Sequence, residues 1–289
     1  MSYIIYTDSF ANLPGDQVRR HNIRLLPCHY LMDHEQKVYD GDLDAFDFHA
    51  YYQKLARGSV VKTTLINAQA FTDAFAPVLE QGQDVVYVGL SSGVSGTLQS
   101  ARIAAEELME QFPGRTVRVV DSLGAGLGTG LLVLRAADLA AQGLTASEAG
   151  DILDREVMHT LNFFTVEDLN FLTRTGRVSG ATAAIGTVLN IKPILWGDPD
   201  GHITALSKVR GRKKSLDALV ELYKSHVRED GVDRRAISHG DCLEDARRLA
   251  DKLCAVCQPR ELIIVPHEPF TGSHVGPGML AFFFQGKHR

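Results

Sequence analysis

Residues 85–101 read VVYVGLSSGVSGTLQSA, and no other stretch limits the fold as much. Val85, Val86, Tyr87 and Val88 are β-branched or aromatic, a short run suited to a buried strand. Leu90 to Gly96 consists almost wholly of Ser and Gly, the composition of a turn. From Thr97 onward, Leu98, Ala101, Ile103, Ala104 and Leu108 recur at helical spacing, with Glu106 and Glu107 facing outward. A strand, a Ser/Gly turn and a helix in that order aim backbone N–H groups and a positive dipole end at an anion, so a phosphate or a carboxylate is the expected ligand. A turn that only caps its own helix has the same composition. Gly89-Leu90-Ser91-Ser92-Gly93 also fits the G-x-S-x-G nucleophile elbow of serine hydrolases, in the required strand-to-helix context.

The first half of the chain repeats that order. Tyr3-Ile4-Ile5-Tyr6 is a strand running into Thr7-Asp8-Ser9, a polar trio at the end of a first parallel strand, where α/β proteins place ligand groups. Asp8 or Ser9 equally suits a helix cap before Leu13 and Pro14. The pattern predicts a strand at 23–26, a helix over 44–55, an extended segment at 59–65 and a helix over 68–80. A strand at 116–122 then ends in Asp121-Ser122, followed by a small-residue run at 123–130 and a helix through 141. Recurrence of strand, polar turn and helix predicts a doubly wound parallel sheet.

From residue 145 the pattern changes. It predicts a helix over 146–158, a strand at 161–166, a charged helix over 167–180 and a wholly buried apolar segment at 181–196. Asp198-Pro199-Asp200-Gly201 is a hairpin turn by residue type, returning into a strand at 203–206. Strands at 235–238 and 262–265 flank a helix over 243–256. The expected architecture is α/β in two domains. Residues 1–155 form a three-layer α/β/α domain with a parallel sheet, and residues 156–289 a smaller α+β domain.

With 289 residues, 45% of them hydrophobic, the chain has ample material for packed cores. A formal net charge of −5 argues against nucleic acid as a partner, and against general binding to anionic membranes. No run of about 18 uncharged apolar residues occurs, and no basic then apolar leader opens the sequence. A soluble, cytoplasmic protein with no integral membrane segment is expected. Cys28, Cys242, Cys254 and Cys257 are too few and too scattered for a disulfide framework. Cys254-Ala255-Val256-Cys257 has no second pair beside it, so no metal and no cofactor is expected.

Two further features bear on function. Lys208, Arg210, Arg212, Lys213 and Lys214 crowd five positive charges into seven positions, as a solvated surface or as a docking patch for an acidic partner. Residues 273–278 read as a Gly-rich turn carrying His274, placed to close a site from the second domain.

Taken together, these segments resemble the DegV family, fatty-acid-binding proteins that include the binding subunits of bacterial fatty-acid kinase. The resemblance rests on Thr7-Asp8-Ser9, the string from Leu90 to Ala101, Asp121-Ser122, the run from Phe164 to Leu169, Gly176-Arg177-Val178-Ser179, Asn190-Ile191-Lys192-Pro193, Lys208-Val209-Arg210 and the run from His274 to Gly278. These motifs follow the family's order over nearly the whole chain. They imply two α/β domains with a long-chain fatty acid between them, its tail buried in the first and its carboxylate at the domain interface. They imply that Thr63 or Thr64, and a serine among Ser91, Ser92 and Ser95, hydrogen-bond the carboxylate. Arg177 and His274 would complete its surroundings, and the run from Lys208 to Lys214 would dock a fatty-acid kinase subunit for acyl-phosphate formation. The fatty acid would be a ligand carried without catalytic residue or cofactor. A buried carboxylate must be hydrogen-bonded or paired, which hydroxyls and an Arg supply.

Two other functions fit parts of the pattern. A serine esterase would use Ser91, with Asp121 and His274 recruited in chain order. A phosphate-binding regulator would need only the turn, but neither G-x-x-x-x-G-K-[ST] nor G-x-G-x-x-G occurs.

Overall fold

The computed structural model describes residues 3–178, 190–228 and 234–289. In chain order its elements are β1 (Tyr3–Asp8), α1 (Gly15–Arg20), β2 (Arg24–Leu26), β3 (Cys28–Met32), β4 (Glu35–Tyr39), α2 (Phe48–Ala56), β5 (Val61–Thr63), α3 (Ala68–Glu80), β6 (Asp84–Gly89), α4 (Thr97–Gln111), β7 (Val117–Asp121), α5 (Leu127–Ala141) and α6 (Ala146–Glu156). There follow β8 (Thr160–Thr165), α7 (Asn170–Thr175), β9 (Ile191–Gly197), β10 (Ile203–Arg210), α8 (Arg212–His226), β11 (Arg234–His239), α9 (Leu243–Val256), β12 (Glu261–Pro266), α10 (Pro269–Val275) and β13 (Leu280–Gln285). The chain forms two compact units that are not divided at a single point. Residues 1–44 fold with 61–157, and residues 45–60 fold with 158–289. The segment that carries α2 therefore departs from the simple division near 155.

The first unit is built on a parallel sheet of order β2-β1-β6-β7. Strand residues alternate between faces, and the packing of alternate residues reveals the layers. Tyr6 and Tyr87 are register partners on one face, against Phe75 of α3 at 5.0 and 6.1 Å between ring centroids. Tyr3 lies on the opposite face and donates its hydroxyl to the Ala136 carbonyl of α5 at 2.7 Å. The sheet is thus sandwiched between α3 and α5, the three layers expected. Pairing of Gly89 with Asp121 places the central turn and Asp121 at the same C-terminal edge.

A second, antiparallel sheet of order β4-β3-β5 was not foreseen. In β3, Cys28, Tyr30 and Met32 are buried while His29 and Leu31 are exposed, an alternation that signals a strand separate from β2. In β4 four of five residues are exposed, so no buried face marks it in the sequence.

The second unit holds a mixed sheet of order β10-β9-β8-β13-β11-β12. Its core joins Leu161 and Phe163 of β8, Phe282 and Phe284 of β13, Tyr223 of α8 and Leu249 and Leu253 of α9. The charged helix expected over 167–180 is shorter: α7 ends where Gly176 takes a left-handed φ of 68°. Residues 179 and 180 lie outside the described residues, as does the 181–189 part of the segment expected to be buried. Its remainder is β9, whose residues from Lys192 to Leu195 are buried. The return strand extends to Arg210, so it takes in Lys208 and Arg210. Among the described residues no helix is long and apolar enough to cross a membrane.

Candidate functional site

Asp8 anchors the central turn. Completely buried at the end of β1, its Oδ2 accepts from the Tyr87 hydroxyl at 2.8 Å and the Leu90 N–H at 3.3 Å, and its Oδ1 from the Phe10 N–H at 3.2 Å. Burial pushes its carboxyl up to about 6, and the hydrogen bonds oppose that rise. Thr7 donates to the Val88 carbonyl at 2.8 Å, and Ser9 Oγ accepts from the Cys28 N–H at 3.1 Å. These bonds of the polar trio hold β1 to β6 and β3.

In the turn after β6, the amides from Ser91 to Ser95 all have acceptors. Ser91 N–H bonds the Gly124 carbonyl at 2.9 Å, Ser92 N–H bonds Asp121 Oδ1 at 3.2 Å, and Gly93 N–H bonds Ser91 Oγ at 3.1 Å. Val94 and Ser95 N–H both reach the Ser91 carbonyl at 3.2 Å, and Thr97 N–H reaches Ser95 Oγ at 3.3 Å. For residues 91–95 this corrects the expectation of turn amides open to an anion. What residues 91–95 offer a ligand is hydroxyl groups. Ser92 is exposed, and its Oγ bonds no described residue; Ser95 is half-buried and donates to Thr97 Oγ1 at 3.1 Å.

The elbow reading fails on the same geometry. An elbow holds its nucleophile exposed at the apex of a sharp, strained strand-to-helix turn. Ser91 is 1% exposed, is absent from the residues with positive φ, and α4 begins only at Thr97. Asp121, the acid expected for that mechanism, caps the turn through the Ser92 and Leu123 N–H groups, the latter at 3.0 Å.

Thr97 joins this turn to the segment after β5. It is buried, and its Oγ1 accepts from the Ile66 N–H at 3.3 Å as well as from Ser95. The two candidate threonines part company here. Thr63 pairs with Tyr30, so its side chain shares the buried face of the small sheet. Thr64 is exposed and donates its hydroxyl to the His29 carbonyl at 2.9 Å. Sequence reasoning missed Thr97; only its place two residues after Ser95 hinted at it.

In the second unit, His274 lies not in a Gly-rich turn but in the last turn of α10. Glu268 caps that helix: Oε2 accepts from the Phe270 N–H at 2.6 Å, and Oε1 from the Thr271 N–H at 2.8 Å and from the Thr271 hydroxyl. Helix α10 packs on α7, where the Arg174 guanidinium carbon lies 4.8 Å from the Phe171 ring centroid. Burial holds the His274 imidazole down to about 4, and Arg177 and then Arg174 push the same way. The structure thus groups Arg177 with His274 and adds Arg174. At neutral pH this histidine is a neutral hydrogen-bonding group, not a cation.

The basic run does not act as one cluster. Lys208 and Arg210 are exposed on β10, the outermost strand of its sheet, where charge discourages edge-to-edge pairing. Lys213 and Lys214 are exposed in the first turn of α8. Arg212 departs from the expected docking role: its Nε lies 2.8 Å from Asp245 Oδ2, its Nη1 3.6 Å from Glu167 Oε1, and its Nη2 donates to Cys242 Sγ at 3.3 Å. Among the described residues, Asp198, Asp200 and His202 are grouped closely enough to hold a metal ion. The Asp198 Oδ1 is already the acceptor for the Asp200 and His202 N–H groups of the hairpin turn, at 3.0 and 2.9 Å.

Comparison with known proteins decides the family. The family model described as "Uncharacterised protein, DegV family" matches residues 2–287. The chain belongs to the DegV family. A DegV domain-containing protein of Clostridium perfringens is 34% identical over 98% of this chain and 97% of its own. A solved DegV family structure from Thermus thermophilus, reported for its fatty acid binding, is 29% identical with a TM-score of 0.87, covering 100% of both chains. A DegV lipid-binding protein of Thermotoga maritima is 26% identical with a TM-score of 0.86, again over 100% of both chains. The DegV resemblance read from the motifs is thereby established, as is the α/β fold it implied.

Proposed function

We propose that this DegV chain binds a long-chain fatty acid and carries it without chemistry of its own. The reading rests on the hydroxyl cluster of the first unit, in which Thr97 ties the segment after Thr63 to the turn bearing Ser92 and Ser95. Neutral hydroxyls satisfy a carboxylate while leaving it free of a bidentate Arg clamp, so one oxygen stays reachable. The binding of fatty acid and lipid by the Thermus and Thermotoga relatives supports the ligand class. Each buried CH₂ contributes about 0.8 kcal/mol, so the acyl chain supplies most of the affinity. Arg177 and His274 enter as residues on which head-group affinity also depends. The proposal extends to presentation of the fatty acid to a kinase for acyl-phosphate formation, with Lys208, Arg210, Lys213 and Lys214 as the docking surface.

Native mass spectrometry of protein purified from its host, followed by denaturing extraction, tests the ligand class. A retained long-chain fatty acid is the expected result. Protein that carries none, and that gives no calorimetric signal with palmitic, stearic or oleic acid, would overturn the reading. The esterase alternative makes the opposite prediction at one atom, labelling of Ser91 Oγ by a fluorophosphonate; the buried Ser91 is expected to stay unlabelled.

A further inference from the structure

Residues 45–60 stand between β4 and β5 in sequence, yet they fold with the second unit. Two adjacent tyrosines of α2 hold them there. Tyr51 donates its hydroxyl to the Pro269 carbonyl at 2.6 Å, and Tyr52 donates to the His267 carbonyl at 2.9 Å, both side chains being buried. Those carbonyls lie at the start of α10, the helix that carries His274 in its last turn.

The Tyr52 ring occupies a slot formed by missing side chains. A Cβ on Gly272 would stand 2.5 Å from the Tyr52 hydroxyl oxygen, and one on Gly240 would stand 3.2 Å from its Cε1. Gly272 therefore faces Tyr52. Position 274 is two residues further on, about 200° around the helix, and so faces away from Tyr52. Arg177 and Arg174 act on the imidazole there.

A buried polar chain braces the same region. His267 Nδ1 is 2.8 Å from Ser238 Oγ, its Nε2 is 2.8 Å from Thr271 Oγ1, and Thr271 in turn bonds Glu268 Oε1. Thr271 gives its proton to the carboxylate, so it accepts from Nε2–H, and Nδ1 is left to accept from Ser238. This proton order leaves a neutral His267. A Phe at position 52 would keep the ring beside Gly240 but leave empty the space against Gly272 that the hydroxyl oxygen fills.

We propose that Tyr52 is a positioning residue for His274: its bond to the His267 carbonyl and its contact with Gly272 set the height and rotation of α10. The inference rests on the reading that His274 takes part in fatty-acid binding.

The test uses the full-length protein. Tyr52→Phe keeps the ring and removes the hydroxyl, and the expected drop in the thermal midpoint is only a few degrees, about what one lost hydrogen bond costs. The His274 imidazole NMR signals, assigned by their loss in His274→Ala, should move, and palmitate affinity should fall roughly threefold to tenfold. Gly272→Ala, forced against the hydroxyl oxygen, should weaken binding as well. Combining it with Tyr52→Phe removes the opposing atom, so the double variant should bind better than the sum of the single losses predicts. Unmoved His274 signals in Tyr52→Phe would overturn the proposal, and so would strictly additive losses. If the signals move while His274→Ala leaves palmitate affinity intact, the positioning holds and the fatty-acid role of His274 is what fails.

Discussion

Ser92 and Ser95 carry the same hydroxyl under different structural obligations. Ser95 Oγ accepts the Thr97 N–H at the start of α4, whereas Ser92 Oγ bonds no described residue. Ser95→Ala is accordingly expected to lower stability by about 1 kcal/mol, the usual cost of a lost hydrogen bond. Ser92→Ala should leave stability within about 0.5 kcal/mol of wild type. Both should weaken fatty-acid binding by about 1 to 3 kcal/mol, because a buried carboxylate loses a donor. Urea denaturation beside calorimetry separates the two effects. If the combination of Thr63→Val, Thr64→Val, Ser92→Ala and Ser95→Ala binds palmitate with wild-type affinity, the head group lies elsewhere. The residue types of this site were legible in the sequence, but the state of the turn's amides was not. That state depends on Asp121 and Gly124, whose approach to Ser92 and Ser91 is created by the pairing of β6 with β7.

Elements were legible where burial gave them a periodic face, as in β6 and α3, and less so where it did not. Strand β4 buries only Tyr39, and α10 was hidden because the Gly-Pro-Gly that follows it dominates the local composition. The basic run shows the same limit: spacing grouped five charges, but the strand-to-helix junction at Gly211 sends them to different duties. Arg210→Glu with Lys213→Glu should weaken kinase-dependent acyl phosphorylation and leave palmitate affinity unchanged, since both side chains are exposed. Arg212→Glu should instead destabilise the fold, because it sets a third carboxylate beside Asp245 and Glu167. Thermal unfolding of the two variants decides between these assignments. Equal loss of stability in both would return the whole run to a structural role. Glu268→Ala should cost about 1 to 2 kcal/mol, because it removes the acceptor for two amides at the start of α10, and hydrogen exchange should show α10 opening first.

For the chain as a whole, the ordered motifs sufficed to indicate the family, while the membership of residues 45–60 in the second unit had no sequence signal: α2 is amphipathic and suits either core. The two units also differ in how they bury ionisable groups, and the signs are opposite. In the first, burial raises Asp8 from 3.8 to about 6, so the folded state holds its proton more tightly than the unfolded chain does. Its contribution is complete below the ordinary carboxylate value and is lost as pH rises through about 6; acidification from pH 7 to 5 therefore stabilises this unit by about 1 kcal/mol. In the second unit, burial lowers His239 to about 4 and His267 to about 3, the latter with a further push from His239. Here the neutral form belongs to the folded state, so the contribution is complete above 6.5 and is lost as pH falls below it. At pH 5 the loss is about 2 kcal/mol for each. Hydrogen exchange at pH 7 and pH 5, corrected for the intrinsic rate, should therefore show protection falling in β11, β12 and β13 while that of β1 and β6 holds or rises. Equal loss in both sheets, or greater loss in the first, would mean that these buried groups do not govern the acid response.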